Sequence, residues 1–106
     1  MAEATRFNHS VYFWLREGGT PEDANRLAEG CRKYLTGIPG VERIAVGFPA
    51  GTQRAVVDNS YGVALLLQFA NAAAHDLYQD HPDHHRFIEA YQSLWSRVQI
   101  YDTLIW

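Results

Sequence analysis

One segment, residues 61–69, constrains the fold more than any other part of the chain. It reads Tyr-Gly-Val-Ala-Leu-Leu-Leu-Gln-Phe, and nearly every position is apolar. Successive side chains of a β-strand point to opposite faces of a sheet, so a strand that is apolar on both faces needs cover on both. We therefore predict a central strand here. Four of its side chains are expected to face the helices: Val63, Leu65, Leu67 and Phe69.

The other segments predict three further strands and three helices. Residues 7–15 alternate between apolar and polar side chains and are rich in aromatic and β-branched types, as in a half-buried strand. Thr20 and Pro21, followed by two acids, are typical of a helix start, and Pro82 indicates a break between two helices. The predicted strands are 7–15, 41–48, 61–69 and 98–105, and the predicted helices are 21–38, 72–79 and 82–95.

This order of elements is β-α-β-β-α-β, with two short consecutive helices at the second helical position. It predicts an α+β, ferredoxin-like fold, in which a four-stranded antiparallel sheet carries its helices on one face. The length of 106 residues allows one domain, and we expect that domain to span residues 1–106.

The face of the sheet without helices is also expected to be apolar. Ala64 and Leu66 should point to this face, together with Tyr12 and Trp14 of the first strand. The chain has too few helices to cover both faces, so a second copy of the chain is the simplest cover. We therefore predict a homodimer formed through the sheet face. The alternative is a monomer with a scattered apolar surface.

Charge and composition exclude several classes of protein. Nine basic and twelve acidic residues give a net charge of −3 without a basic stripe, so no nucleic-acid partner is expected. The longest apolar run, residues 63–67, is too short to cross a bilayer, and the first six residues lack the pattern of a signal peptide. The sequence therefore predicts a cytoplasmic protein without membrane association. The single cysteine, Cys31, excludes an intrachain disulfide.

Residues 78–85, Tyr-Gln-Asp-His-Pro-Asp-His-His, form the densest group of titratable side chains in the sequence. His81 is expected to cap the helix that begins at Pro82. Steps of three and four residues place His84 on the same side of that helix as Phe87, which is the side facing the sheet.

A second histidine is expected to face the same space. His9 shares a strand face with Val11 and Phe13, so His9 and His84 can meet between the sheet and the helix. A neutral imidazole is favoured at a helix start, because the positive end of the helix dipole opposes the imidazolium form. Such a group can act as a general base or hydrogen-bond donor, with Tyr78 as a nearby proton partner.

Each of these residues also has an interpretation in which it only stabilises the fold. His9 can be a hydrogen-bonded core histidine, and His81 a helix cap. The trio of His81, His84 and His85 has no matching set of carboxylates or cysteines to fix a metal geometry, so no metal site is predicted. Cys31 lies in the apolar stripe of the first helix, which indicates a buried, unreactive thiol. No nucleotide-binding or phosphate-binding motif is present, and no cofactor is predicted.

Four segments of the chain resemble the stress-responsive A/B barrel (Dabb) domain family. They are the opening His9-x-Val11-x-Phe13-Trp14-Leu15, the strand Leu65-Leu66-Leu67-Gln68-Phe69, the segment Tyr78-x-x-His81-Pro82-x-His84 and the closing Tyr101-Asp102. The resemblance extends over residues 7–105. It implies a ferredoxin-like domain that pairs sheet to sheet into a dimeric α+β barrel.

The resemblance also implies a site. Olivetolic acid cyclase-like members of the family close a linear polyketide by an intramolecular aldol condensation, with a tyrosine and a histidine between sheet and helices. Carried over by motif, the catalytic positions are Tyr78 and His84, and His9 lines the same pocket. Those members have a further pocket histidine on the third strand, where this chain has Val63. The pocket here is therefore expected to be more apolar.

The sequence leads to three hypotheses about the function. The first is a protein that binds a small, largely apolar organic molecule and can catalyse a cofactor-free proton transfer or cyclisation. The second is a non-catalytic stress-response or assembly protein, in which His9 and His84 form a structural pair. The third is a small monooxygenase, a class known elsewhere among dimeric α+β barrels, for which the sequence specifies no haem ligands. The residues leave open whether the protein is an enzyme.

Overall fold

The computed structural model describes residues 5–106 and confirms the predicted fold. The regular elements in this range are β1 (Arg6–Leu15), α1 (Pro21–Leu35), β2 (Val41–Gly47), β3 (Val63–Phe69), α2 (Ala72–Asp80), α3 (Pro82–Tyr91) and β4 (Trp95–Ile105). The strands form one antiparallel sheet in the order β2-β3-β1-β4, with the helices on one face. Within the described range, no helix is both long enough and apolar enough to cross a membrane.

The third helix is shorter than the sequence pattern predicts. α3 ends at Tyr91 rather than at residue 95, because residues 92–94 form a single 3-10 turn and Trp95 already pairs with β1 in the sheet. The Trp95 ring centroid lies 4.9 Å from that of Phe13 and 5.8 Å from that of Phe87. The contact with Phe13 joins residues far apart in the chain, so the helical pattern of the sequence before Trp95 does not predict it.

The core lies between the helices and one face of the sheet. Alternate residues of β1 are buried in it, namely Phe7, His9, Val11 and Phe13, as are the four predicted residues of β3, namely Val63, Leu65, Leu67 and Phe69. α1 contributes Leu27, Cys31 and Leu35, which expose no surface. The helix ends at Leu35, three residues before its predicted end, and Ile38 enters the core from the turn that follows. Replacing a buried leucine with alanine typically lowers the free energy of unfolding by about 2–5 kcal/mol.

The opposite face of the sheet, called the outer face below, carries a cluster of aromatic rings. The Tyr12 ring centroid lies 5.0 Å from that of Tyr61 and 6.2 Å from that of Tyr101. The Arg97 guanidinium lies over the Trp14 ring, 4.2 Å from its centroid, which is the geometry of a cation–π contact. An open groove of about 360 Å³ runs along these residues.

Ala64 and Leu66 of β3 share the outer face, as the sequence predicts. They pair with Tyr12 and Ser10 of β1, and Leu66 remains 43% exposed. The single chain therefore leaves apolar surface uncovered on this side of the sheet.

Residues 48–62, which connect β2 to β3, form neither helix nor strand. Val56 in the middle of this connection is 80% exposed. The end of the connection is fixed to the sheet, because Trp14 Nε1 donates a hydrogen bond to Ser60 Oγ over 2.9 Å and the Gly62 N–H donates to the Phe13 carbonyl over 2.7 Å.

Candidate functional site

The corner between α2 and α3 positions two of the predicted site residues. The His81 N–H donates to the Tyr78 carbonyl at the end of α2 (3.2 Å), and His81 Nδ1 accepts from the Asp83 N–H at the start of α3 (3.1 Å). His81 itself is extended, with Pro82 as the first residue of α3. The corner brings the last turn of α2 beside the first turn of α3, and the ring centroids of Tyr78 and His84 lie 4.8 Å apart. The predicted role of His81 as a cap is confirmed.

A pocket of about 210 Å³ lies between this corner and the helix-facing side of the sheet. Its polar lining comes from His9, Tyr78, Gln79 and His84, and its apolar lining comes from Val11, Phe13, Leu65, Phe87, Ile88, Trp95, Val98 and Ile100. Sites for drug-sized ligands usually measure about 300–1,000 Å³. This pocket therefore suits a small, largely apolar molecule. The outer-face groove is larger, but it contains no buried histidine.

His84 is the most unusual polar group in the pocket. Its Nδ1 atom is buried and makes no hydrogen bond within residues 5–106. Burial lowers the pKa of His84 below its usual value of 6.5, and the nearby His85 and His9 lower it further. The backbone of Gln79 acts in the opposite direction and favours the protonated form, and His75 has a smaller lowering effect. The imidazole is therefore neutral at pH 7 and available as a proton acceptor.

Tyr78, which adjoins His84, can serve as a hydrogen-bond donor in the pocket. Its side chain is almost fully buried, and burial raises the pKa of its hydroxyl well above the usual value. The phenol therefore stays protonated at neutral pH. Its ring centroid lies 5.9 Å from that of His9 and 4.8 Å from that of His84, so Tyr78 is close to both histidines of the pocket.

His9 lines the pocket as predicted, but it does not pair with His84. Its Nδ1 lies 2.6 Å from Asp102 Oδ1 on the neighbouring edge strand β4. Burial lowers the pKa of His9, while its hydrogen bond to Asp102 and the charge of that carboxylate act in the opposite direction. His9 Nδ1 also lies 3.2 Å from His75 Nε2, and this nitrogen lies 3.0 Å from Gln79 Nε2.

Three residues of this network are absent from the sequence-based site: His75, Gln79 and Asp102. The strand register could have identified Asp102, because the antiparallel pairing of β1 with β4 places it directly opposite His9. A signal for His75 is its position three residues before Tyr78, which places both on one face of α2.

The remaining candidates lie elsewhere or take other roles. His81 caps α3, His85 is exposed, and His84 lies in the pocket, so this trio forms no cluster of ligand atoms within the described residues. Cys31 is fully buried in α1, and burial raises the pKa of its thiol to about 12. Such a thiol is a poor nucleophile.

These features define the class of protein: a ferredoxin-like α+β domain with a histidine-lined apolar pocket under its helices. Residues 7–105 match the family described as Stress responsive A/B Barrel Domain (Dabb). The chain therefore belongs to the Dabb family, and the resemblance found in the sequence is confirmed. No curated protein matches the sequence significantly.

Solved structures share the whole fold. A dimeric ferredoxin-like protein of unknown function from Thermobifida fusca has a TM-score of 0.79 at 18% identity, covering 99% of this chain and 95% of its own. A Dabb family protein from Mesorhizobium loti has a TM-score of 0.77 at 23% identity, covering 96% and 98%. The hydroxynitrile lyase from Passiflora edulis has a TM-score of 0.78 at 12% identity, covering 97% and 95%. At these identities the likeness is one of fold.

Proposed function

We propose that this protein binds a small, largely apolar organic molecule in the pocket between the sheet and α2–α3, and that His84 moves a proton on it without a cofactor. The observation that carries the proposal is the buried, unpaired Nδ1 of His84. Leaving a buried polar atom without a partner costs about 1–3 kcal/mol. Such a cost is typical of a functional site rather than of an ordinary core.

The polar groups of the pocket suit proton abstraction next to a carbonyl. In this scheme the neutral imidazole of His84 takes a proton from the carbon, and the electron pair of the C–H bond moves to the carbonyl oxygen as an enolate forms. The Tyr78 hydroxyl donates a hydrogen bond to that oxygen. The imidazolium then returns its proton to carbon. Alternatively, the enolate carbon attacks a second carbonyl of the same molecule and closes a ring, and the imidazolium gives its proton to the alkoxide that forms. No electrons are gained or lost overall, so no redox partner is needed.

The apolar lining supports this chemistry. Phe13, Phe87 and Trp95 line one side of the pocket with apolar surface, and apolar surroundings strengthen hydrogen bonds to a developing negative charge. Leu65 is the residue of β3 that lines the pocket, and Val63 is buried outside the lining, so β3 adds no polar group and the pocket suits an apolar substrate. The hydroxynitrile lyase among the structural neighbours supports catalysis on this fold by analogy only.

We also propose that the chain forms a homodimer through the outer face of its sheet. The exposed Leu66 and the aromatic cluster around Tyr12 support this arrangement, and the Thermobifida fusca neighbour is described as dimeric. We also propose a cytoplasmic location, with which the free, buried thiol of Cys31 is consistent.

A non-catalytic stress-response or assembly protein is the second candidate. The observation in its favour is the short hydrogen bond between His9 and Asp102, since a buried histidine fixed in this way can serve the fold alone. In that case the unpaired nitrogen of His84 is occupied by water, and the pocket has no organic ligand.

Hydrogen–deuterium exchange at carbon tests the proposal directly. Small apolar ketones and 1,3-dicarbonyl compounds are screened for binding by thermal shift, and NMR in D2O then follows exchange at their acidic C–H groups. We expect the protein to accelerate exchange, and His84→Ala to reduce that acceleration by about 10²–10⁴-fold. His85→Ala, which alters the exposed neighbour, is the matched control and should keep the activity. A folded protein that binds none of these compounds contradicts the proposal and favours the non-catalytic role.

A further inference from the structure

We propose that His9, His75 and Asp102 form a binding site for a divalent transition metal ion of the Zn²⁺ type. One possible ligand atom from each residue lies within 4.8 Å of the others. The three atoms come from β1, α2 and β4 respectively, so the folded chain assembles a cluster that no local sequence motif contains.

The donor atoms suit such an ion in type and spacing. Two imidazole nitrogens and one carboxylate oxygen are ligands that Zn²⁺ takes in catalytic sites, where the fourth position is left to water. Bond lengths of about 2.0–2.1 Å imply tetrahedral ligand separations of about 3.3 Å. The separation of His9 Nδ1 from His75 Nε2 is 3.2 Å, and that of His9 Nδ1 from Asp102 Oδ1 is 2.6 Å. The His9–Asp102 pair must therefore open by about 0.7 Å to admit an ion, a movement that the partly exposed Asp102 side chain can make.

The hydrogen-bond accounting also favours a cation. The neutral His9 ring has one N–H, and when Nδ1 donates it to Asp102, that nitrogen has no lone pair for a donor. His75 Nε2, 3.2 Å away, can then accept only a share of the one His9 N–H, which is already donated to Asp102. A metal ion bound by all three atoms turns each close approach into a favourable contact. It also releases the proton from His9 Nδ1, so binding should weaken at low pH.

The surroundings hold the ligands in place. The His75 ring stacks on Phe7 with centroids 4.5 Å apart and planes inclined by 24°. Its other nitrogen, Nδ1, lies 3.8 Å from Asp76 Oδ1, which is too far for a hydrogen bond, so the orientation of the ring rests on the stacking with Phe7. Rotation of the Gln79 side-chain amide by 180° places its oxygen where its nitrogen now lies. That oxygen can accept a hydrogen bond from a metal-bound water.

The site has a route to solvent. The Asp102 side chain is 41% exposed on the edge strand, whereas those of His9 and His75 are 3% and 11% exposed. An ion can therefore enter past the carboxylate and meet the imidazoles. His9 lines both the pocket and the proposed metal site, whereas His75 and Asp102 do not line the pocket. The proposal does not depend on the proposed function, because the chemistry on the organic ligand is assigned to His84 and Tyr78.

Metal titration tests the inference. The purified chain is treated with EDTA, dialysed and titrated with Zn²⁺ by calorimetry, and with Co²⁺ by visible absorption, whose intensity reports tetrahedral coordination. We expect one ion per chain. His75→Gln and Asp102→Asn should each weaken Zn²⁺ binding by about 100-fold or more, since even supporting residues around a metal contribute 10–100-fold.

Two controls separate this site from other histidines and from the pocket. The double variant with His81→Gln and His85→Gln removes the more exposed histidines of the α2–α3 corner and should bind Zn²⁺ as tightly as the parent. His84→Ala should likewise retain Zn²⁺ binding even where it loses proton transfer. Asp102→Asn alters a partly exposed side chain, so it keeps the test valid if His75→Gln fails to fold. Absence of Zn²⁺ binding by the parent, or equal binding by a folded Asp102→Asn protein, overturns the proposal.

Discussion

His9 Nδ1 lies 2.6 Å from Asp102 Oδ1, so the buried histidine of β1 is held by the edge strand β4 and not by His84. The two residues are directly opposite in the β1–β4 register. This contact fixes the orientation of the His9 ring at the wall of the pocket. It also leaves His84 free to interact with a ligand.

The Asp102 carboxylate should stabilise the fold modestly. Hydrogen bonds to charged groups contribute about 1.5–3 kcal/mol, but Asp102 is partly exposed and solvent screens part of its charge. We expect Asp102→Asn to lower the free energy of unfolding by about 1 kcal/mol in urea denaturation with EDTA present. The control is Asp76→Asn, whose side chain is 80% exposed; it should change stability by less than about 0.5 kcal/mol. Equal effects from the two variants would contradict a structural role for the His9–Asp102 contact.

His84 should make stability depend on pH in a defined direction. The pKa of His84 is lowered in the folded protein, mainly by burial, from the ordinary value of 6.5. Above pH 6.5 the ring is neutral in both states, so it adds no pH dependence. As the pH falls below 6.5, the unfolded chain takes up a proton that the folded chain resists. The free energy of unfolding therefore falls until the pH passes the folded pKa.

Thermal melts at pH 7.5 and pH 5.5, with EDTA present, measure this dependence. His85, His9, His75 and Tyr78 surround the ring, and no carboxylate is among the groups that shift its pKa. His84→Gln should reduce the loss of Tm on acidification. Glu89→Gln, an exposed change on the same helix, should preserve the parental loss. If acidification lowers the Tm of His84→Gln as much as that of the parent, His84 is not buried in its neutral form.

Much of the fold could be predicted from local patterns, whereas part of the site could not. The alternation in residues 7–15 and the apolar run in 61–69 reflect burial on known faces, and both strands appear where expected. Pro82 and His81 act through local backbone geometry, so the α2–α3 corner was also predictable.

The contact between His9 and Asp102 joins residues 93 positions apart. It depends on the register of an edge strand that begins at Trp95, three residues earlier than the sequence indicates. The approach of His75 to His9 depends on how α2 lies across the sheet. These relationships are tertiary, and a pattern with a period of two or 3.6 residues contains no information about them.

Gly30 allows α1 and α3 to approach closely. A methyl group at this position would lie 2.5 Å from ring carbons of Tyr91, so alanine forces the ring or the helix to move. We expect Gly30→Ala to lower the free energy of unfolding by about 1–3 kcal/mol through overpacking, despite the gain of up to about 1 kcal/mol that alanine offers within a helix. Chemical denaturation measures the change. Gly37→Ala is the control, because nothing lies within 4 Å of its added methyl group; a stabilised Gly30→Ala protein would contradict this packing.

The outer face of the sheet provides the test of assembly. Leu66 is 43% exposed in the single chain, and Leu77 on α2 is 73% exposed on the other side of the molecule. If two sheets pack together and bury at least about 1,000 Å², a carboxylate at position 66 is buried without a partner, whereas one at position 77 stays in water. Light scattering should therefore give the parent and Leu77→Glu twice the chain mass of 12.1 kDa, that is 24.2 kDa. Leu66→Glu should give a folded monomer or fail to fold. A parent of 12.1 kDa at micromolar concentration would contradict the dimer, and a dimeric Leu66→Glu protein would place the interface on another surface.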